Sequence, residues 1–194
     1  CAYASLRAVT EINAPKNSAA ALWIDKEEIG SDGDTGAQSF ALYHMISRIY
    51  EKMDGSFDVW NVLHDAKAPS ADVTAAMNPN FSDVHDEQNA SQVGRGVVVE
   101  KYTGAGGKYS ANDASAEYLN EVRQVLATAG VRVQPKGGLG KVDLGGGGTI
   151  AKFLSRYGTL TVDCGPAVLG MHAPREVMSK VDVHESYRAY KAFY

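Results

Sequence analysis

The stretch Gly96-Val97-Val98-Val99-Glu100 decides the fold class. Three consecutive β-branched residues favour an extended backbone, where the branched side chain packs well on a pleated surface. A glycine-containing loop follows at 104–107, and Asp113 is placed to cap a helix running to about residue 128. Residues 131–134 then return to an extended pattern. Strand, helix and strand in close succession predict an α/β protein with a mixed, largely parallel sheet in a three-layer sandwich.

Working outward, residues 4–13 and 35–50 place apolar side chains at helical spacing, the second through Ala37, Phe40, Leu42, Met45, Ile46 and Ile49. Between them the apolar run at 19–24, ending in Leu22-Trp23-Ile24, suits a buried strand. Asn78-Pro79-Asn80 reads as a turn. A glycine-rich segment at 137–148 opens into a helix at 149–154, short apolar runs follow at 160–162 and 167–169, and residues 174–194 form a last amphipathic helix. The length suits one domain with a substantial core, or at most two small ones, and no internal repeat stands out.

Composition narrows the function classes. The 194 residues carry 19 Lys and Arg against 23 Asp and Glu, a net charge of −4, which argues against a phosphate-backbone binder. No apolar run approaches the ~20 residues that a membrane-spanning helix needs. Nor is there a charged n-region or cleavage pattern behind Cys1, so the expected location is cytoplasmic. Cys1 and Cys164 are too few for a disulfide scaffold or a thiolate zinc site, so a metal would be held by His and carboxylates.

In α/β sheets ligands collect beyond the carboxyl ends of strands, which directs attention to polar residues just after apolar runs. Asp25-Lys26-Glu27-Glu28-Ile29-Gly30-Ser31 follows the 19–24 run, and two adjacent carboxylates there can diverge toward a metal and toward a water. Asp72, in Ser70-Ala71-Asp72-Val73, reads more readily as a cap or a solvated turn than as a ligand. His172, in Gly170-Met171-His172-Ala173-Pro174, sits between a short strand and a helix. Ser82-Asp83-Val84-His85-Asp86-Glu87 is dense in ligand atoms, but its compactness favours an exposed turn. The glycine-rich segment fails the Walker pattern at Pro135 and Val142 and fails the dinucleotide fingerprint. No G-x-S-x-G elbow exists, and Cys164 reads as a buried structural cysteine.

Taken in order, Asp25 to Ser31, Asn78-Pro79-Asn80-Phe81, Gly145 to Thr149 and Met171-His172-Ala173-Pro174-Arg175-Glu176 resemble the aspartyl aminopeptidase and vacuolar aminopeptidase I family, most closely its bacterial members. The resemblance runs over nearly the whole chain. It implies a zinc-exopeptidase-like fold, two divalent metal ions (zinc, with cobalt or manganese as alternatives), removal of N-terminal residues from peptides, and assembly into a large homo-oligomer. Carried over by position, Glu27 resembles the general base, Glu28 and His172 two ligands of one metal, and Asp72 a ligand of the other. Lys101, Tyr109 and Gly147 fall where the family contacts substrate. The family's bridging Asp, its remaining His ligand and its inserted assembly domain would lie upstream of Cys1. The resemblance therefore implies a C-terminal part of the catalytic domain that needs the N-terminal half to complete its site. The alternative is a non-catalytic fragment or assembly module that keeps the fold.

Overall fold

A computed structural model describes residues 1–53, 57–135, 137 and 140–194. The valine run becomes strand β3 (Val98–Glu100), which pairs antiparallel with the long strand β6 (Leu160–Gly165). The other edge of β6 carries β1 (Lys67–Ser70) in parallel. A second small sheet continues these strands: β2 (Thr74–Ala75) pairs in parallel with β7 (Ala167–Leu169), and β8 (Val177–Met178) closes it antiparallel. Strands β4 (Tyr102–Ala105) and β5 (Tyr109–Asp113) form a hairpin turning at residues 106–108, so the loop expected at 104–107 starts two residues later, Gly104 and Ala105 being part of β4. The architecture is α/β with mixed sheets, two strand pairings being parallel and three antiparallel.

One face of the first sheet makes the core. Val97, Val99, Val162 and Cys164 point toward helices α1 (Ala2–Thr10), α4 (Ala116–Thr128) and α6 (Lys180–Phe193), where Ala4, Ala8, Tyr118, Val122, Leu126, Ala189 and Tyr190 meet them. The alternation of a strand sends Glu100, Thr161 and Asp163 to the opposite face. There helix α5 (Ala151–Ser155) lies against β6, and β5 of the hairpin packs on α5, forming the third layer. Helices α2 (Ala41–Lys52) and α3 (Val59–Asp65) pack on each other through tilted contacts of Trp60 with Tyr43 and Tyr157.

Several local expectations change. Residues 19–24 are not a strand: no neighbouring strand among the described residues pairs with them, and Leu22 and Trp23 are exposed. An apolar run needs a partner's free amides and carbonyls before it becomes a strand, and only Asp25, bridged to Gly36, finds one. The cap of α4 is Ser115, whose side chain accepts from the Tyr118 amide, while Asp113 ends β5. Residues 35–40 make turns before α2, and α6 starts at Lys180 behind a Ser179 cap because Val177 and Met178 are claimed by β8. Val133 forms only a single bridge, to Val97. Gly138 and Leu139 of the glycine-rich segment lie outside the described residues.

Candidate active site

The loop from Asp25 to Gln38 holds the two glutamates. Lys26 takes a left-handed backbone (φ 65°), and its ammonium is fixed by Asp34 at 2.9 Å and Thr35 at 2.8 Å. A 3-10 turn at Glu27–Ile29 follows, closed by Gly30 at φ 93° and by the Ser31 amide donating back to the Lys26 carbonyl at 2.8 Å. Only glycine takes such a conformation without strain, so Gly30 lets the turn reverse. Gln38 donates to the Gly30 carbonyl and to Asp32, tying the loop's far side. The result is a rigid presentation of Glu27 and Glu28 on adjacent positions of a single turn.

His172 comes from the opposite direction, beyond β7. Its backbone is also left-handed (φ 65°), after Gly170 at φ 69°, and its amide donates to Glu176 at 2.7 Å. This sharp reversal brings the imidazole Nε2 to 3.0 Å from a carboxylate oxygen of Glu28. Two side chains far apart in sequence thus meet at one point.

Asp72 lies in the break between β1 and β2, and one of its oxygens accepts from the Val73 amide at 2.7 Å. Burial pushes its carboxyl above the usual carboxylate range, the Val73 hydrogen bond pulls the other way, and the Glu28 charge adds to the rise. Glu27 is raised by burial first, then by the charges of Asp72 and Glu28, with His172 opposing. These mutual influences place Glu27, Glu28, Asp72 and His172 in one electrostatic neighbourhood. The break that carries Asp72 also depends on a glycine: a Cβ on Gly165 of β6 would fall 1.8 Å from the Asp72 carbonyl oxygen. No side chain fits there.

The donor set fits zinc in kind. A carboxylate oxygen and an imidazole nitrogen converging at 3.0 Å are the ligand types that zinc takes in catalytic sites. The set is short in number, for among the described residues no three His, Cys, Asp or Glu side chains gather to hold an ion.

The remaining expected residues sit apart from this point. Lys101 is turned outward and forms an ion pair with Asp113, both partly exposed. Tyr109 is exposed at the start of β5, and a Cβ on Gly147 would meet open space. The stretch 82–87 is a turn, exposed at Ser82, Asp83 and Glu87 but half-buried at Val84, His85 and Asp86: a 3-10 segment ends at Val84, His85 bridges to Gly140, and Asp86 caps the following turn by accepting from Gln88 and Asn89.

Sequence reasoning missed a polar row on the sheet face beside Asp72. Ser70, Asp163 and Glu100 stand in register across β1, β6 and β3. Thr149, at the end of the glycine run, donates to one Asp163 oxygen at 2.6 Å. Burial raises the Asp163 carboxyl and pushes that of Glu100 up to about 7, the neighbouring carboxylates adding to both. The Val98–Glu100 alternation was the available signal, since it puts Glu100 on the face away from Val97 and Val99.

The chain is similar to known proteins over its whole length. The family model described as Aminopeptidase I zinc metalloprotease (M18) matches residues 1–194. A probable M18 family aminopeptidase 1 of Borrelia garinii subsp. bavariensis is 48% identical over 100% of this chain, and one of Thermotoga maritima is 48% identical over 99%. This chain spans 43% of the length of either relative. The crystal structure of the M18 aminopeptidase from Thermotoga maritima superposes with a TM-score of 0.92 at 49% identity, covering 99% of this chain and 43% of that one. Aminopeptidase I from Clostridium acetobutylicum superposes with a TM-score of 0.88 at 40% identity, covering 100% and 41%. The chain belongs to the M18 family, the aminopeptidase I zinc metalloproteases.

Proposed function

We propose that this chain carries the general base and part of the metal shell of an aminopeptidase that removes N-terminal residues from peptides. The observation that carries the reading is the convergence of Glu28 and His172 at 3.0 Å beside Glu27 and Asp72. Glu28 and His172 would hold one divalent ion and Asp72 a second, zinc being the first choice from the family's description. Such ions supply Lewis acidity toward the scissile carbonyl and make water acidic enough to be activated near neutral pH. Glu27 takes the proton from the attacking water and returns it to the leaving nitrogen as the tetrahedral intermediate collapses. Its place on the turn next to Glu28 would keep it near the ions without making it a ligand.

Lys101, Tyr109 and Gly147 are proposed to contact the peptide. For Lys101 this requires release from Asp113, and for Gly147 the open space over its α-carbon leaves room for a substrate backbone. The working enzyme is proposed to be a cytoplasmic homo-oligomer.

A second reading has its own support. Because no three potential ligands gather among the described residues, these residues would not retain zinc unaided, and the other ligands would come from further polypeptide. The residues 1–194 alone would then be a non-catalytic α/β unit. Metal analysis and an aminoacyl-chromogen assay on the full-length enzyme and on this polypeptide separate the two readings. Full activity from the 20.7 kDa chain alone would overturn the shared-site reading.

A further inference from the structure

The row on the sheet face beside Asp72 has an unusual inventory. Glu100 is 9% exposed, Asp163 4%, Ser70 2% and Thr103 4%. Glu100 Oε1, Asp163 Oδ2, Ser70 Oγ and Thr103 Oγ1 are all buried without a completed hydrogen bond. The Ser70 and Thr103 hydroxyls lie near enough to favour the ionised form of Asp163, yet neither closes a bond of good geometry. Thr149 occupies the other Asp163 oxygen, so Oδ2 is the atom left over. Register explains the convergence: Ser70 and Glu100 flank Asp163 on neighbouring strands, where directly opposed side chains stand about 5 Å apart on one face.

Two carboxylates side by side in a buried position are costly unless a positive charge or a proton offsets them. No Lys, Arg or His forms an ion pair with either among the described residues. Lys101, the adjacent cation in sequence, is turned away and paired with Asp113. Buried unsatisfied oxygens on four residues at one place call for an unseen partner.

We propose that Ser70, Thr103, Asp163 and Glu100 bind one monovalent inorganic cation of the sodium or potassium class. The donors are all oxygen, the set that hard cations take, with no His or Cys to draw a transition metal. Magnesium keeps several of its waters, which a row this buried has little room to hold. A proton shared by the two carboxyls would neutralise one of them and leave the Ser70 and Thr103 hydroxyls as donors toward Asp163, whereas an ion would draw on oxygens of all four residues. The ion would stand behind the proposed metal centre, joining strands β1, β6 and β3 through Ser70 at one edge and Glu100 at the other. It would thereby fix the strand end from which Asp72 departs.

The test uses the full-length, metal-loaded enzyme and reads binding and melting, so it fails separately from the aminopeptidase reading. Crystals soaked in thallium(I), a potassium probe with strong anomalous scattering, should show a peak among Glu100, Asp163, Ser70 and Thr103. Melting temperature at constant ionic strength should rise with potassium or sodium relative to choline. Glu100→Gln should abolish that rise, and Ser70→Ala should shift its midpoint to higher salt. A sodium-only rise lost in Glu100→Gln supports the sodium form. Equal melting in all three salts with no thallium peak overturns the proposal, leaving a shared proton or a water. A rise that survives both substitutions, again without a peak at the row, overturns it as well.

Discussion

The two faces of the β1–β6–β3 sheet share one backbone and serve opposite ends. On one side Val97, Val99, Val162 and Cys164 are sealed against α1, α4 and α6, and burial alone accounts for them. On the other side the alternate residues of the same strands are Glu100, Thr161, Asp163 and Ser70, buried as deeply but polar. The apolar face gains stability from each methylene removed from water, about 0.8 kcal/mol apiece. The polar face gives some of that back, since buried carboxylates without counter-charge oppose folding. A strand's period of two lets a protein place an apolar core and a buried polar layer one residue apart.

The largest effect that separates chemistry from packing should come from Glu27. In the full-length enzyme Glu27→Gln is expected to lower kcat by roughly 10³-fold while zinc content, measured by atomic emission, stays at the wild-type level. Wild-type turnover would remove Glu27 from its role. Next, His172→Ala or Glu28→Ala should weaken metal affinity by on the order of 10²-fold or more, read by competition with a chromogenic chelator. Melting without metal should move little, because both side chains are largely exposed.

The faces themselves are tested by two milder changes. Val162→Ala, on the apolar side, should cost about 2 kcal/mol in denaturant unfolding and leave kcat per folded molecule intact. Glu100 gives the polar side a pH signature. Its folded carboxyl is raised to about 7 from an ordinary value near 4.5, so the folded state holds a proton that the unfolded chain has already released. The stability this gives is fully present below about 4.5 and is lost as pH climbs through about 7, on the order of 3 kcal/mol in all. Glu100→Gln should flatten that decline in choline buffer, and an unchanged slope would assign it to another group. Smallest of all, Lys101→Ala should change stability by less than about 1 kcal/mol, because its partner Asp113 is exposed. A rise of roughly tenfold in KM with unchanged melting would mark Lys101 as a substrate contact, and an unchanged KM would confine it to the surface.

How far the sequence could be read follows the range of the interactions. Local patterns were legible: the valine run as a strand, a helix over most of 4–13, one ending near residue 128 and one at the end of the chain follow from propensity and spacing, whereas the hairpin around the loop expected at 104–107 did not. The pairing of Glu28 with His172 was legible only through family resemblance, because nothing local says that a loop after β7 reaches a turn near residue 27. The strand expected at 19–24 was misread because apolar runs announce burial without naming a partner. The row of Ser70, Asp163 and Glu100 was invisible because it exists only in cross-strand register, and register is set by the whole sheet.

Gly165 has no functional group, yet its α-carbon faces the carbonyl of Asp72 with no room for one more atom. A laboratory scanning for inactive variants of the proposed aminopeptidase would recover this position beside Glu27 and His172 and be tempted to count it among the groups proposed to react. Its signature would differ from theirs. Every substitution, alanine included, would fail alike, and no conservative exchange would rescue it, since the requirement is for empty space. Inheritance of the active centre therefore includes a place where nothing must grow.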